Sequence, residues 1–210
     1  MNINSFMEAI YLQKLKEEIK QKIIEVGKLK FKKEGYENTS MKDIASDVGI
    51  STGNIYRYFL TKKHLLAEIL KEIENEIEEF FEKIPSDYDD SSSYQLFDSL
   101  IEFTLRLAKD KGDTLKVMFN SEKESQFIEF REKILEMFIN KIKAIAISIN
   151  SKKNIDSILC EAISRAQFEG FIYIVKNNID DIELLKRNLE MYEELMLKGL
   201  KNKVVEVIEK

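Results

Sequence analysis

Between Ser51 and Lys63 the chain sets out a run of side chains suited to gripping and reading a polyanion: Thr52, Gly53, Asn54, Tyr56, Arg57, Tyr58, Lys62 and Lys63. On a helix turning about 100° per residue, Ile55 and Phe59 share one face. Gly53, Asn54 and Arg57 then point away from it, with Tyr56 and Tyr58 on the flanks. Thr52 and Asn54 can hydrogen-bond base edges, Gly53 lets a backbone come close, and Arg57 can reach a guanine edge or a phosphate. Tyr56, Tyr58, Lys62 and Lys63 suit phosphate contacts, which fix position without specifying sequence. Ser40 and Ser51, at the starts of two short helices, complete the candidate set. Singly, such residues are usually solvated surface; their order and spacing give them weight.

The elements that must position this run are legible around it. Ser40-Met41-Lys42-Asp43 has the spacing of a capping box, with Asp in the place of the usual Glu or Gln. Met41, Ile44, Ala45 and Val48 follow at i, i+3, i+4 and i+7, one buried helical face. Gly49 ends this helix, and after Gly49-Ile50-Ser51 another begins with Ser51 as its N-cap. Two short helices joined by a three-residue turn containing glycine form a helix-turn-helix, here Ser40 to Phe59, whose second helix meets base edges with its N-terminal turn. An amphipathic helix from about Lys14, or earlier, to Lys33 precedes the motif and stops at Gly35. Thr61 can cap a long helix that follows and runs towards Lys83.

This stretch resembles the tetracycline-repressor (TetR/AcrR) family of regulators. The resemblance rests on Ile23-Ile24-Glu25-Val26-Gly27, Phe31, Gly35-Tyr36, Thr39 to Ala45, Gly49-Ile50-Ser51, Gly53 to Phe59 and Lys62-Lys63-His64-Leu65. It covers the N-terminal third. It implies a three-helix DNA-binding head on a larger helical domain that dimerises and usually holds a small-molecule pocket, with Thr52, Gly53, Asn54, Tyr56, Tyr58 and Lys62 at positions that touch DNA in relatives. Two residues depart from the pattern: Lys30 stands where an apolar residue is usual, and Gly27 where a small Ala is usual. Gly27 should cost its helix up to about 1 kcal/mol.

The rest of the chain reads as helix. One proline and seven glycines in 210 residues leave few breaks, and 44% hydrophobic with 34% charged residues fits a soluble protein with a sizeable core. Pro85 and the polar stretch Ser86 to Ser93 predict a loop, Gly112 closes a helix marked by Leu96, Leu100, Phe103 and Leu107, and Asn150 to Asn154 predict a second break. The expected fold is all-α, a helix-turn-helix head (residues 1–62) plus a helical bundle (residues 63–210), about nine helices in total. Phe103, Leu107, Met118, Phe119, Phe127, Phe130, Met137, Phe138, Phe168 and Phe171 are candidates to line a pocket for a small hydrophobic or amphipathic effector. Such residues at helical spacing are also ordinary core. Ile158, Ala162, Ile172, Val175, Leu185, Leu189, Tyr192 and Met196 lie on helices apolar over more than one face. They are the expected homodimer seam, while Leu184, Met191 and Leu195 build a second stripe.

Charge divides unevenly. Residues 1–65 carry 12 Lys and Arg against 8 Asp and Glu, although the whole chain has a net charge of −5. A basic head on an acidic body is the asymmetry expected when one end meets double-stranded DNA. No nucleophile–base pair, metal-ligand spacing or phosphate loop is visible, so neither an enzyme nor a cofactor is expected. His64 reads as a surface residue and the single cysteine, Cys160, as a small buried one. The absence of a signal-type leader and of a long apolar run predicts a cytoplasmic protein without a membrane segment. The competing reading is a helical interaction protein whose head has lost DNA binding.

Overall fold

The computed structural model describes residues 3–84, 92–149 and 157–208, which form eight α-helices and no strand. They are α1 (Ile3–Glu34), α2 (Met41–Val48), α3 (Thr52–Ile55), α4 (Lys62–Lys83), α5 (Ser92–Asn120), α6 (Ser125–Ile149), α7 (Ser157–Asn178) and α8 (Ile182–Ile208). The expected loop at Pro85 to Ser93 and the break at Asn150 to Asn154 lie outside the described residues, except that Ser92 and Ser93 begin α5. Gly112 does not end its helix. Instead α5 bends at the preceding Lys111, which leaves helical dihedrals (φ −132°, ψ 26°) while the chain continues to Asn120. Counting the two arms of α5 separately gives the nine helices the periodicity predicts.

The head is built on α1, which packs against α2, α4 and α5. Ile23 and Phe31 of α1 meet Met41, Ile44, Ala45, Val48, Ile55 and Phe59, all buried. Gly27 has a structural reason: a Cβ there would stand 2.9 Å from Leu65 Cδ2 and 3.5 Å from Ile69 Cδ1, so the glycine lets α4 lie close against α1. The departure that costs helix propensity is offset by packing. Lys30, the other departure, binds Asp47 of α2 at 2.9 Å and Glu34 at 3.6 Å, tying α1 to α2 from the rim of the core. Lys22 donates to the Val48 carbonyl at 3.0 Å, placing a cation at the negative C-terminal end of α2.

The same hydrophobic cluster continues from the head through Leu65, Leu66, Ile69, Leu70 and Ile73 of α4 into Ile101, Leu107, Leu115 and Val117 of α5 and Leu185 and Leu189 of α8. A second cluster, Phe81, Ile84, Leu96, Phe97, Leu100, Ile134, Leu135, Phe138, Ile139 and Phe168, fills the far end of the body. Cys160 is buried as a free thiol. The boundary expected at residue 62 falls at the start of α4, a helix whose first two turns pack on α1 and whose later turns pack on α5 and α6.

The α8 stripes separate cleanly. Leu185 and Leu189, with Val175 of α7, are buried inside this chain, whereas Met191 and Leu195 are 54% and 67% exposed. The expected seam is therefore corrected at Val175, Leu185 and Leu189, which α5 and α7 already cover. The stripe that faces outward is the second one, joined on α7 by Ile158, Leu159, Ala162 and Tyr173, all exposed.

Candidate nucleic-acid interface and apolar cavity

Two N-caps and one left-handed glycine hold the helix-turn-helix. Ser40 Oγ accepts from the Asp43 N–H at 3.1 Å and Ser40 N–H donates to Asp43 Oδ2 at 3.3 Å, the full capping box. The Ser40 hydroxyl hydrogen bond holds the Asp43 carboxyl below the usual carboxylate range. Gly49 sits at φ 83°, where a side chain would clash with its own backbone, and its N–H returns to the Ala45 and Ser46 carbonyls. Ser51 Oγ then accepts from the Asn54 N–H at 3.2 Å. The hydroxyls of Ser40 and Ser51 thus set helix ends.

The recognition element is shorter than the pattern predicts. α3 ends at Ile55, and Tyr56 to Tyr58 continue as a tight turn with Arg57 N–H to Asn54 O at 3.1 Å and Tyr58 N–H to Ile55 O at 3.0 Å. This tightening buries both Ile55 and Phe59 while redirecting the chain into α4. The faces fall where the helical wheel puts them. Thr52, Gly53, Tyr56 and Arg57 are exposed, Asn54 and Tyr58 half-buried, and Lys63 and His64 exposed at the start of α4.

Lys62 is the exception. Its ammonium donates to the carbonyls of Tyr36 at 2.7 Å, Thr39 at 3.0 Å and Glu37 at 3.3 Å, and lies 4.2 Å from the centre of the Tyr36 ring. Three donors meet three acceptors, so this lysine clamps the turn between α1 and α2 and has no donor left for a phosphate. The ammonium expected at a phosphate here positions the turn between α1 and α2. Burial pushes the Tyr36 phenol beneath it up to about 12.

In the body, a cavity of about 110 Å³ opens between α4, α5, α6, α7 and α8. Of the ten pocket candidates, Phe103, Leu107, Met118, Phe119, Phe127, Phe130, Phe138, Phe168 and Phe171 line it. Met137 does not; it packs against the second cluster. Ile172, Val175, Leu189, Tyr192 and Met196, expected at the seam, line this cavity instead. Sequence reasoning missed its polar members, Thr104, Arg131, Gln167 and Glu193, because a lone polar residue on an apolar helix carries no periodic signal. Gln167 Oε1 is buried without a hydrogen-bond partner among the described residues. Burial, reinforced by the like charges of Asp98 and Glu190, pushes the Glu193 carboxyl up to about 7.

Residues 23–69 match the model of the bacterial regulatory proteins of the tetR family. Over 135 residues the chain is 24% identical to the HTH-type transcriptional regulator YfiR of Bacillus subtilis, covering 62% of this chain and 64% of the relative. It thus spans somewhat less than two thirds of that relative's length. An HTH-type transcriptional regulator of Staphylococcus aureus, SAB2452, is 26% identical over 129 residues, 60% of this chain and 69% of the relative. Among solved structures the same fold recurs in SmeT, the repressor of the Stenotrophomonas maltophilia multidrug efflux pump SmeDEF (TM-score 0.67, 16% identity, 86% of this chain and 89% of that one). It recurs too in NalD, the secondary repressor of the Pseudomonas aeruginosa MexAB-OprM pump (TM-score 0.64, 20% identity, 89% and 97%).

The match ends at Ile69, within α4, so the stretch similar to that family extends into the helix that also walls the body. From there two ion-pair groups connect head and cavity. Lys32 of α1 binds Asp113 of α5 at 2.7 Å, and Lys111, at the bend of α5, binds Glu72 at 2.8 Å and also Glu76 of α4. The arm of α5 beyond that bend carries Leu115, Met118 and Phe119 into the cavity wall.

Proposed function

We propose that this chain is a sequence-specific transcription repressor that binds a pseudo-palindromic operator as a homodimer and is released by a small hydrophobic effector. The observation that carries the DNA-binding half is the exposed face of α3, with Thr52, Gly53 and Arg57 outward and Asn54 half-outward over a capped helix-turn-helix. One such head is too small to select a site alone, and two reach successive major grooves when held about 34–36 Å apart. The exposed apolar stripe of α7 and α8 supports a second copy as the occupant of that face, since two helices of each copy would close into a four-helix seam. The unit that meets DNA is taken as residues 1–62 with the first turns of α4, and the remainder as the effector and dimerisation body. The setting is the cytoplasm, where the operator is.

The cavity supports the effector half: aromatic, almost wholly apolar, and walled by the α5 arm that is ion-paired to α1 and α4. A solved structure of SmeT is a complex with triclosan. An effector that straightens or shifts the arm at Lys111 would move α4 and change the head-to-head distance. Moving occupancy from 99:1 to 1:99 requires a preference of about 5.5 kcal/mol for the released state. The test is selection of bound duplexes from random DNA, followed by operator titration with and without hydrophobic compounds. A consensus without two-fold symmetry, or no enrichment at low salt, would overturn the DNA-binding reading. Operator affinity indifferent to every compound that binds the body would overturn the effector half.

A further inference from the structure

We propose that the cavity is built for hydrophobic amines in their protonated form, with the ammonium meeting the Glu193 carboxylate and donating an N–H to Gln167 Oε1. This rests on the effector reading above and names the class of effector. Gln167 is buried at 3% exposure, lines the cavity, and leaves its side-chain oxygen without a partner among the described residues. A buried acceptor without a donor is costly, and a ligand N–H would satisfy it. Glu193 lines the same cavity one residue beyond Tyr192, whose hydroxyl donates to the Gln167 backbone carbonyl at 3.2 Å and so ties α8 to α7 at Gln167.

The charges around the cavity select the sign of the ligand. Among the described residues Arg131 of α6 is its one cationic wall residue, and its guanidinium is bound by Glu169 of α7 and lies 3.4 Å from Glu132, over the Phe168 ring. Two carboxylates therefore outweigh that one cation. Among the described residues the charges acting on Glu193 are Asp98 of α5 and Glu190 of its own helix, both negative. A cation entering here gains a counter-charge that the empty protein lacks, while the phenylalanine faces around it attract a positive group further. An anion would meet the Glu193 carboxylate and an arginine already engaged.

The test uses the full chain and three probes with one skeleton: 4-phenylbutylamine, 4-phenylbutanol and 4-phenylbutyrate, followed by calorimetric titration. The amine, an alkylammonium like that of lysine, stays charged from pH 6 to pH 8. At pH 8 it should bind about tenfold or more tighter than the alcohol, the gain expected of a hydrogen bond to an ionised partner, with the butyrate weakest. With Glu193 titrating at about 7, amine affinity should fall about tenfold from pH 8 to pH 6, because only the ionised carboxylate receives the cation. The alcohol should show no such slope. Glu193→Gln should bring the amine down to the alcohol and abolish the slope, while unchanged alcohol binding shows that the cavity is intact. Equal binding of amine and alcohol, tightest binding of butyrate, or an amine preference that survives Glu193→Gln would each overturn the amine assignment and leave the effector reading standing. Binding of none of the three would overturn both.

Discussion

Replacing Lys62 with methionine separates two accounts of a basic residue beside a recognition helix. The substitution keeps the length and the apolar stem but removes an ammonium held by carbonyls at 2.7, 3.0 and 3.3 Å and facing the Tyr36 ring at 4.2 Å. Hydrogen bonds to a charged group contribute about 1.5–3 kcal/mol each when fully desolvated. Here the site lies at the rim of the head, and water can replace the lost donor at the Glu37 carbonyl. The whole loss should therefore be about 1–3 kcal/mol. For a chain of 210 residues, each kcal/mol lowers Tm by about 2–4 °C. The turn it clamps runs directly into Ser40, the N-cap of α2, so loosening it misaims the helix-turn-helix and weakens binding to all duplexes alike. The assay is thermal unfolding together with operator affinity against salt concentration. A positioning lysine leaves the slope of log affinity on log salt unchanged while Tm falls. A phosphate-binding lysine does the reverse: Tm holds, and the slope drops by about 0.9. The second outcome would refute the clamp.

Four other outcomes follow from the same geometry. Arg57→Ala and Asn54→Ala should each relax operator specificity by about 1–3 kcal/mol without lowering Tm, read by competition between operator and single-base variants. Met191→Glu with Leu195→Glu, on the exposed stripe of α8, should yield folded monomers by sedimentation with unchanged helicity, whereas Leu189→Glu, fully internal, should unfold the body. Gly170→Ala would drive its methyl into the Tyr192 ring, whose Cε2 lies 2.9 Å from the added carbon. It should cost about 1–3 kcal/mol in chemical denaturation and displace a wall of the cavity. Glu193 binds a proton more readily in the folded chain than at its ordinary 4.5. The parent should therefore lose stability relative to Glu193→Gln as pH rises from about 4.5 through about 7, with no further change above. A parent-to-variant difference flat across that window would deny the burial of this carboxyl.

Local signals carried most of the head. Ser40 with Asp43, Gly49, Ser51 and Thr61 are caps or stops whose meaning lies within four residues, and all four operate as the spacing predicts. Ile55 and Phe59 turn inward for the same reason, since i and i+4 must share a face. What local pattern could not supply was the end of α3 at Ile55, because both the helix and the tight turn that replaces it bury the same two side chains. It also could not foresee Gly27, whose value lies in Leu65, thirty-eight positions away.

In the body the periodicity was legible and the choice between its faces was not. α8 carries two apolar stripes, and both repeat at three- and four-residue steps, so the sequence by itself determines that the helix must be covered on two sides. It does not determine which side its own chain covers. That was decided by where α5 and α7 lie: they close over Leu185 and Leu189 and leave Met191 and Leu195 outside. Tyr192 and Met196 fall between, at the wall of the cavity. Lys62 teaches the same lesson in charge. The sequence determines that a cation stands beside the recognition helix, but whether its donors remain available for DNA depends on three carbonyls from a distant turn. Hydrophobic and polar groups state a demand for a partner; only the packed chain decides which partner arrives first.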